Sequence, residues 1–136
     1  MSRRLTHGMA ETQPTPPRLS SSIVIVDGNN EILLVQRNPK SQSYAGTHVF
    51  PGGNYDLTQD ESIQMTGIRE VFEETGLLLA SPAPGRALPS DNELDEAREA
   101  VHAQKRLFRD FLAQSGFTAD CEGIPPSLIQ SDSPPF

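Results

Sequence analysis

Three glutamates lie close together near the middle of the chain, in residues 69–77, which read REVFEETGL. Residues three and four positions apart share one face of an α-helix, so Glu70, Glu73 and Glu74 would bring three carboxylates within about one turn. Three like charges at that spacing oppose folding, but their oxygen atoms are the ligands that a hard cation such as Mg²⁺ or Mn²⁺ prefers. The spacing therefore predicts either a metal-binding helix or, as the simpler alternative, an acidic face in contact with solvent.

The residues on either side of the glutamates predict the helix that would carry them. Thr58, followed three residues later by Glu61, has the spacing of a capping box at a helix start. Gly76 stands where a C-terminal cap glycine is expected. The face opposite the glutamates would be buried through an apolar stripe made of Ile63, Ile68, Val71 and Phe72.

Before this helix the pattern is typical of β-structure. Two apolar runs, residues 22–26 and 31–37, flank the turn-forming residues 27–30 and predict a β-hairpin. Residues 47–50 form a short strand candidate that ends at a Pro-Gly-Gly turn, residues 51–53. Glycines there would allow the backbone to approach a diphosphate or a metal closely.

After the helix, residues 77–80 predict one more strand, and a second helix is expected from Ser90 through Leu112 to a closing glycine, Gly116. From residue 118 the sequence shows no strand pattern. We therefore divide the chain into a flexible leader (residues 1–20), a domain (21–117) that contains the acidic segment (53–77), and a weakly structured tail (118–136).

Composition restricts the partners. The 18 acidic residues exceed the 11 basic ones and give a formal net charge of −7. This balance argues against a nucleic-acid backbone or an anionic membrane surface, because both attract basic patches. No run approaches the about 18 apolar residues that span a bilayer. With a single cysteine and no secretory signal pattern, the chain is expected to be intracellular.

The acidic segment resembles the signature of the Nudix hydrolases, Gly-x5-Glu-x7-Arg-Glu-U-x-Glu-Glu-x-Gly-U, where U is a bulky aliphatic residue. Every position from Glu61 to Leu77 fits that signature. The glycine departs from it: Gly53 lies two residues further from Glu61 than the signature requires, as a short loop insertion would place it.

This resemblance implies an α/β (α+β) fold, a mixed sheet packed between helices, which here would be incomplete after the signature helix. It implies a hydrolase that cleaves a diphosphate linkage in a nucleoside diphosphate derivative, with Mg²⁺ or Mn²⁺ as cofactor. By position, Glu70, Glu73 and Glu74 would be metal ligands and catalytic residues, Glu70 being a candidate to deprotonate water. Arg69 and Glu61 would form a supporting, buried or half-buried pair.

A second resemblance concerns the substrate. Coenzyme A diphosphatases within this family carry the pattern Leu-Leu-Thr-x-Arg-(Ser/Ala)-x3-Arg-x3-Gly-x3-Phe-Pro-Gly-Gly. The chain matches it at residues 33–34, 37, 46 and 50–53, and departs from it at Val35, Asn38 and Gln42. The resemblance implies that Arg37, Phe50 and Gly52 contact a small-molecule substrate such as coenzyme A or an acyl-coenzyme A.

The long loop after Gly53, together with residues 49–53, 69–74 and 77–79, looks like one branch of this family, the eukaryotic acyl-coenzyme A diphosphatases. That branch is associated with mitochondria or peroxisomes, so the resemblance implies either compartment. A dinucleotide or a nucleotide sugar is the rival substrate. A different hypothesis is a truncated, non-catalytic fragment, because the expected further strands are not apparent after Leu79. The pattern assigns no chemistry to His48, His102 or Cys121, and it leaves the oligomeric state open.

Overall fold

A computed structural model describes residues 16–40 and 45–125. Most of the predicted leader, the end of the predicted tail and Gln42 lie outside this part of the chain. The described elements, in chain order, are strands β1 (Ser20–Ser22), β2 (Val35–Gln36), β3 (His48–Val49) and β4 (Gly52–Asn54), helix α1 (Ile63–Thr75), strand β5 (Ala80–Pro82), helices α2 (Asp91–His102) and α3 (Phe108–Ser115), strand β6 (Phe117–Ala119) and a 3₁₀ helix (Cys121–Gly123).

The predicted hairpin is present around its turn. The Asp27 carboxylate accepts hydrogen bonds from the N–H groups of Asn29 (2.8 Å) and Glu31 (2.9 Å), and Val26 forms a bridge with Ile32. Asn30 takes a positive φ of 62°, a conformation that asparagine tolerates better than most residues. These local interactions explain why the turn could be read from the sequence.

The Pro-Gly-Gly segment is not the turn that the sequence predicts. Gly52–Asn54 is strand β4, which pairs antiparallel with β1. A Cβ at Gly52 would lie 2.2 Å from the carbonyl oxygen of Ser21, so only glycine permits this approach of the two strands. Here glycine serves close strand packing rather than chain reversal.

The α/β class is confirmed, with the described strands arranged as three antiparallel pairs: β1 with β4, β2 with β3, and β5 with β6. Helix α1 packs on the β1–β4 pair and also contacts α2. Gly67 favours this close packing on β1, because a Cβ there would lie 2.8 Å from Ser21 Oγ. The acidic helix is thereby held against the glycine strand.

Helix α1 begins later than predicted. Ser62, not Thr58, is the N-cap: its hydroxyl accepts the N–H of Met65 at 3.1 Å. Thr58 instead donates its N–H and hydroxyl to the Asp56 carboxylate in the preceding loop. The predicted C-cap is confirmed, since Gly76 has a φ of 79° and donates to the Phe72 carbonyl.

The prediction of one long second helix is wrong, because the structure has two separate helices in that segment, α2 and α3. The capping box between Ser90 and Glu93 forms as expected, and Gly116 closes α3 with a φ of 73°. Between the two helices Gln104 takes a positive φ of 58°. This turn lets Phe108 and Phe111 of α3 reach the same core as α2.

The C-terminal region is more ordered than predicted. Strand β5 starts at Ala80, later than the predicted strand at residues 77–80, and it pairs with β6, where Ala80 lies opposite Ala119. The 3₁₀ helix follows directly. The weakly structured tail predicted from residue 118 is therefore corrected for residues 118–123.

The core lies beneath α1. Phe72 stacks on Phe111 with ring centroids 5.3 Å apart and contacts Phe108 at 5.6 Å. From the predicted stripe, Ile68, Val71 and Phe72 are fully buried. Because this face of α1 is fixed in the core, the opposite face must present its glutamates away from it. Among the described residues, the other members of this core cluster are Ile23, Ala97, Val101 and Leu112.

Candidate active site

One open cleft of about 1320 Å³ collects most of the predicted site. Its floor is the glutamate face of α1, one side is formed by β1, β2 and β4, and α2 forms the other side. Seven of the ten predicted site residues line it: Arg37, Phe50, Gly52, Gly53, Glu70, Glu73 and Glu74. The other three are Arg69 and Gly76, which belong to α1 and its cap, and Glu61, which is exposed before the helix.

Arg69 organises the base of this cleft. Its Nη1 donates to Glu70 Oε1 and to Glu73 Oε1, each at 2.9 Å, and its Nη2 donates to the carbonyl oxygen of Asn54 in β4. Burial alone would lower the pKa of Arg69, but hydrogen bonds to Asp60 and Glu73 outweigh it and raise the pKa above its usual value. Arg69 therefore stays charged and ties α1 to the glycine strand.

Asp60, rather than the predicted Glu61, is the buried partner of Arg69. Arg69 Nε lies 2.8 Å from Asp60 Oδ1, and Nη2 lies 3.0 Å from Oδ2, in a bidentate pair whose side chains are 5% and 0% exposed. The Thr66 hydroxyl also donates to Asp60 Oδ2 at 2.9 Å. Because α1 starts at Ile63, Glu61 falls in the preceding bend and its side chain faces solvent.

Gly53 and Glu70 meet at the floor of the cleft. A Cβ at Gly53 would lie 2.4 Å from the Glu70 carboxylate, so the missing side chain leaves the space that this carboxylate occupies. Burial raises the pKa of Glu70 to about 7; Glu73 and Glu74 add to the rise, and Arg69 opposes it. Glu70 is thus a crowded, poorly hydrated carboxylate.

Glu74 is held from the strand side. Its Oε2 accepts the N–H of Gly52 at 3.2 Å. Burial raises the pKa of Glu74, whereas that hydrogen bond and the charge of Arg37 lower it, so the net direction is upward. Arg37 and Glu74 both line this cleft, so the arginine predicted to contact substrate lies on the same cavity as the acidic helix.

Helix α2 supplies a wall that the sequence did not reveal. His102 Nδ1 lies 3.5 Å from Glu73 Oε2, and Arg98 donates to the backbone carbonyls of Glu73 and Glu74, each at 2.8 Å. With Asp95 and Glu99 these residues occupy the cleft-facing side of α2. The helical spacing of these residues is visible in the sequence. No local sequence pattern, however, shows that this face of α2 would pack beside Glu73, 25 positions before Arg98.

Comparison with known proteins identifies the family. The model of the NUDIX domain matches residues 16–108, more than half of the chain. The chain belongs to the Nudix family. This match confirms the family that the signature predicted.

Two individual proteins are similar to it. The chain is 36% identical over 59 residues to the zebrafish (Danio rerio) m7GpppN-mRNA hydrolase NUDT17, an alignment that covers 43% of the chain and 19% of that protein. It superimposes on a Nudix hydrolase from Alicyclobacillus acidocaldarius with a TM-score of 0.57 at 24% identity, over 80% of the chain and 59% of that structure. The second likeness supports the Nudix fold, and neither shows the coenzyme A branch.

The donor set of this Nudix cleft fits a divalent cation. Glu70, Glu73 and Glu74 offer hard carboxylate oxygens, and the missing side chain at Gly53 leaves the Glu70 carboxylate room beside the strand. Within the described residues, however, no group of three or more His, Cys, Asp or Glu side chains is already arranged to hold a metal ion. Arg69 instead holds oxygens of Glu70 and Glu73, and so partly neutralises the charge that a cation would neutralise.

In the part of the chain that the structure covers, no helix is long and apolar enough to cross a membrane.

Proposed function

We propose that this chain is a divalent-metal-dependent hydrolase that cleaves a diphosphate linkage in a nucleoside diphosphate derivative. The observation that carries the proposal is the single cleft in which Glu70, Glu73 and Glu74 face the glycine strand β4 and Arg37. A diphosphate is an anion, so a cleft lined by carboxylates can receive it only with positive charge between the two.

The residues have separable tasks in this proposal. Glu70, Glu73 and Glu74 would hold Mg²⁺ or Mn²⁺, which when bound neutralises diphosphate charge and makes water more acidic. The Arg69–Asp60 pair fixes α1 against the loop that leads into it. Glu70, whose carboxylate is enclosed between Gly53 and Arg69, is a candidate to accept a proton from the attacking water.

For the substrate, we propose coenzyme A or an acyl-coenzyme A. Arg37 and Phe50, two residues of the upstream resemblance, line the cleft together with Gly52. An arginine can bind phosphate through two parallel hydrogen bonds, and the Phe50 side chain, 43% exposed, offers an apolar surface to a base or to the pantetheine chain. Cleavage would release a 3′-phosphoadenylate and an (acyl-)4′-phosphopantetheine.

A dinucleotide or a nucleotide sugar remains the rival, and the similarity to a protein named as an mRNA cap hydrolase adds a capped nucleotide. All of these contain a phosphoanhydride next to a nucleoside, so the shared acidic floor does not separate them. Discrimination has to come from the walls of the cleft. The net charge of −7 favours a small nucleotide over a long RNA.

Product analysis by mass spectrometry tests both levels of the proposal. The full chain is incubated with Mg²⁺ or Mn²⁺ and, in parallel, with coenzyme A, acetyl-coenzyme A, a dinucleotide, a nucleotide sugar and a capped dinucleotide. Glu73→Gln and Glu74→Gln should abolish turnover, while Glu122→Gln, an exposed carboxylate on the 3₁₀ helix, should leave it unchanged.

Turnover of another nucleotide without turnover of coenzyme A would retain the enzyme class and overturn the proposed substrate. No metal-dependent cleavage of any member of the panel by folded protein would overturn the class itself.

One observation favours a second candidate, a chain that keeps the acidic helix without catalysis. Four apolar side chains of the hairpin, on alternating positions, are about half exposed: Val24, Val26, Ile32 and Leu34. A group of exposed apolar side chains is typical of a surface that is covered in the working form of a protein. No turnover together with the lack of a cooperative, monomeric unfolding transition would support this candidate, whereas turnover by the chain alone would exclude it.

A further inference from the structure

The C-terminal end of α1 carries two of the three cleft glutamates. Glu73 and Glu74 belong to its last turn, whereas Glu70 lies one turn earlier. The last carbonyl groups of an α-helix have no partner within the helix, and the helix end carries partial negative charge. The sequence of this last turn, residues 72–75, contains no basic residue that could offset it.

A side chain from another helix fills that role. Arg98 of α2 donates from Nε to the carbonyl oxygen of Glu73 and from Nη2 to that of Glu74, both at 2.8 Å. The neighbouring N–H of Gly76 bonds to the Phe72 carbonyl. The guanidinium thus binds the two successive carbonyls of the residues whose side chains face the cleft.

We propose that Arg98 is a positioning residue, which fixes the last turn of α1 and with it the carboxylates of Glu73 and Glu74. This inference rests on the proposed function insofar as those carboxylates hold a metal. The planar guanidinium suits two adjacent carbonyls, because its donors point in fixed directions. Its positive charge also complements the helix end.

A purely structural role would have a different consequence. If Arg98 only joined two helices, its loss would lower stability, but the protein that remained folded would bind metal as before. A positioning role predicts weaker metal binding by folded protein, because the ligands on the last turn would be less ordered. Residues behind metal ligands typically contribute about 10–100-fold in affinity or activity.

The test compares three variants of the full chain. Arg98→Met keeps the apolar stem and removes all donors, and Arg98→Lys keeps the charge but not the fork. Arg109→Met is the matched control, since Arg109 is exposed on α3 and pairs only loosely with its neighbour Asp110, at 3.9 Å. Mn²⁺ affinity is measured by titration calorimetry under conditions where circular dichroism shows each variant folded.

We expect Arg98→Met to weaken Mn²⁺ binding by about 10-fold or more, Arg98→Lys to recover part of the loss, and Arg109→Met to match the unchanged chain. Hydrogen exchange in the metal-free protein provides a second readout. Amides of residues 73–77 should exchange faster in Arg98→Met, while those of residues 66–70 keep their protection.

Unchanged Mn²⁺ affinity in Arg98→Met would overturn the inference. If the protein without substitutions binds no Mn²⁺ and cleaves no substrate, the proposed function fails. The hydrogen-exchange experiment then still decides whether Arg98 orders the last turn of α1. Uniform loss of protection across α1 would also count against a positioning role, because it would indicate general destabilisation.

Discussion

The buried partner of Arg69 can be tested by a paired substitution, Asp60→Ala and Glu61→Ala. The two carboxylates are adjacent in sequence but differ in environment, since the Asp60 side chain is fully buried whereas Glu61 is exposed. The signature places the role of partner at Glu61, and the structure places it at Asp60. The two substitutions therefore give opposite orders of destabilisation under the two assignments.

The magnitude follows from the contacts that are lost. Asp60 accepts two hydrogen bonds from Arg69, one from the Thr66 hydroxyl and one from the N–H of Asp56. Removing one partner of a buried ion pair costs about 3–5 kcal/mol, because the other charge is left without compensation. Arg69 would still have Glu70 and Glu73, so we expect the lower end, about 3 kcal/mol.

Urea unfolding followed by circular dichroism measures both variants. Asp60→Ala should lower the urea concentration at the unfolding midpoint by about 1–3 M, if the free energy of unfolding falls with urea at the usual rate of about 1–3 kcal/mol/M. Glu61→Ala should stay within about 0.5 kcal/mol of the unchanged chain, as an exposed substitution does. Equal losses for the two variants, or a larger loss for Glu61→Ala, would refute the assignment of Asp60.

Three further substitutions have distinct expected outcomes. Gly53→Ala should reduce turnover far more than stability, because its Cβ would displace the flexible Glu70 carboxylate, 2.4 Å away, rather than the backbone; kinetics and thermal melting of one preparation separate the two effects. Ser62→Ala should cost about 1 kcal/mol and Thr58→Ala less, since only Ser62 caps α1; similar losses in urea unfolding would contradict this cap. Phe108→Ala should cost about 3–5 kcal/mol, because its ring is fully buried against two others; a loss below 1 kcal/mol in the same assay would place this ring outside the core.

The sequence by itself determined the features that depend on neighbouring residues. The hairpin turn follows from the hydrogen bonds of Asp27 and the positive φ of Asn30, and the helix ends follow from the Ser90–Glu93 box and from Gly76. The shared face of the three glutamates likewise needs only helical geometry. The family also followed from residues close in sequence, and the match to the Nudix domain confirms it.

Only the tertiary structure decided which residue meets which across larger distances. Gly52 forms a strand instead of a turn because β1 approaches it, and the helix expected from Ser90 to Leu112 divides so that α3 reaches the core. Arg69 pairs with Asp60 and not with Glu61, and the helix starts later than the Thr58–Glu61 spacing predicts. His102 and Arg98 meet the last turn of α1 only after α2 packs beside it. Local rules specify each element, but burial and strand pairing fix how the elements meet, and the cleft lies between them.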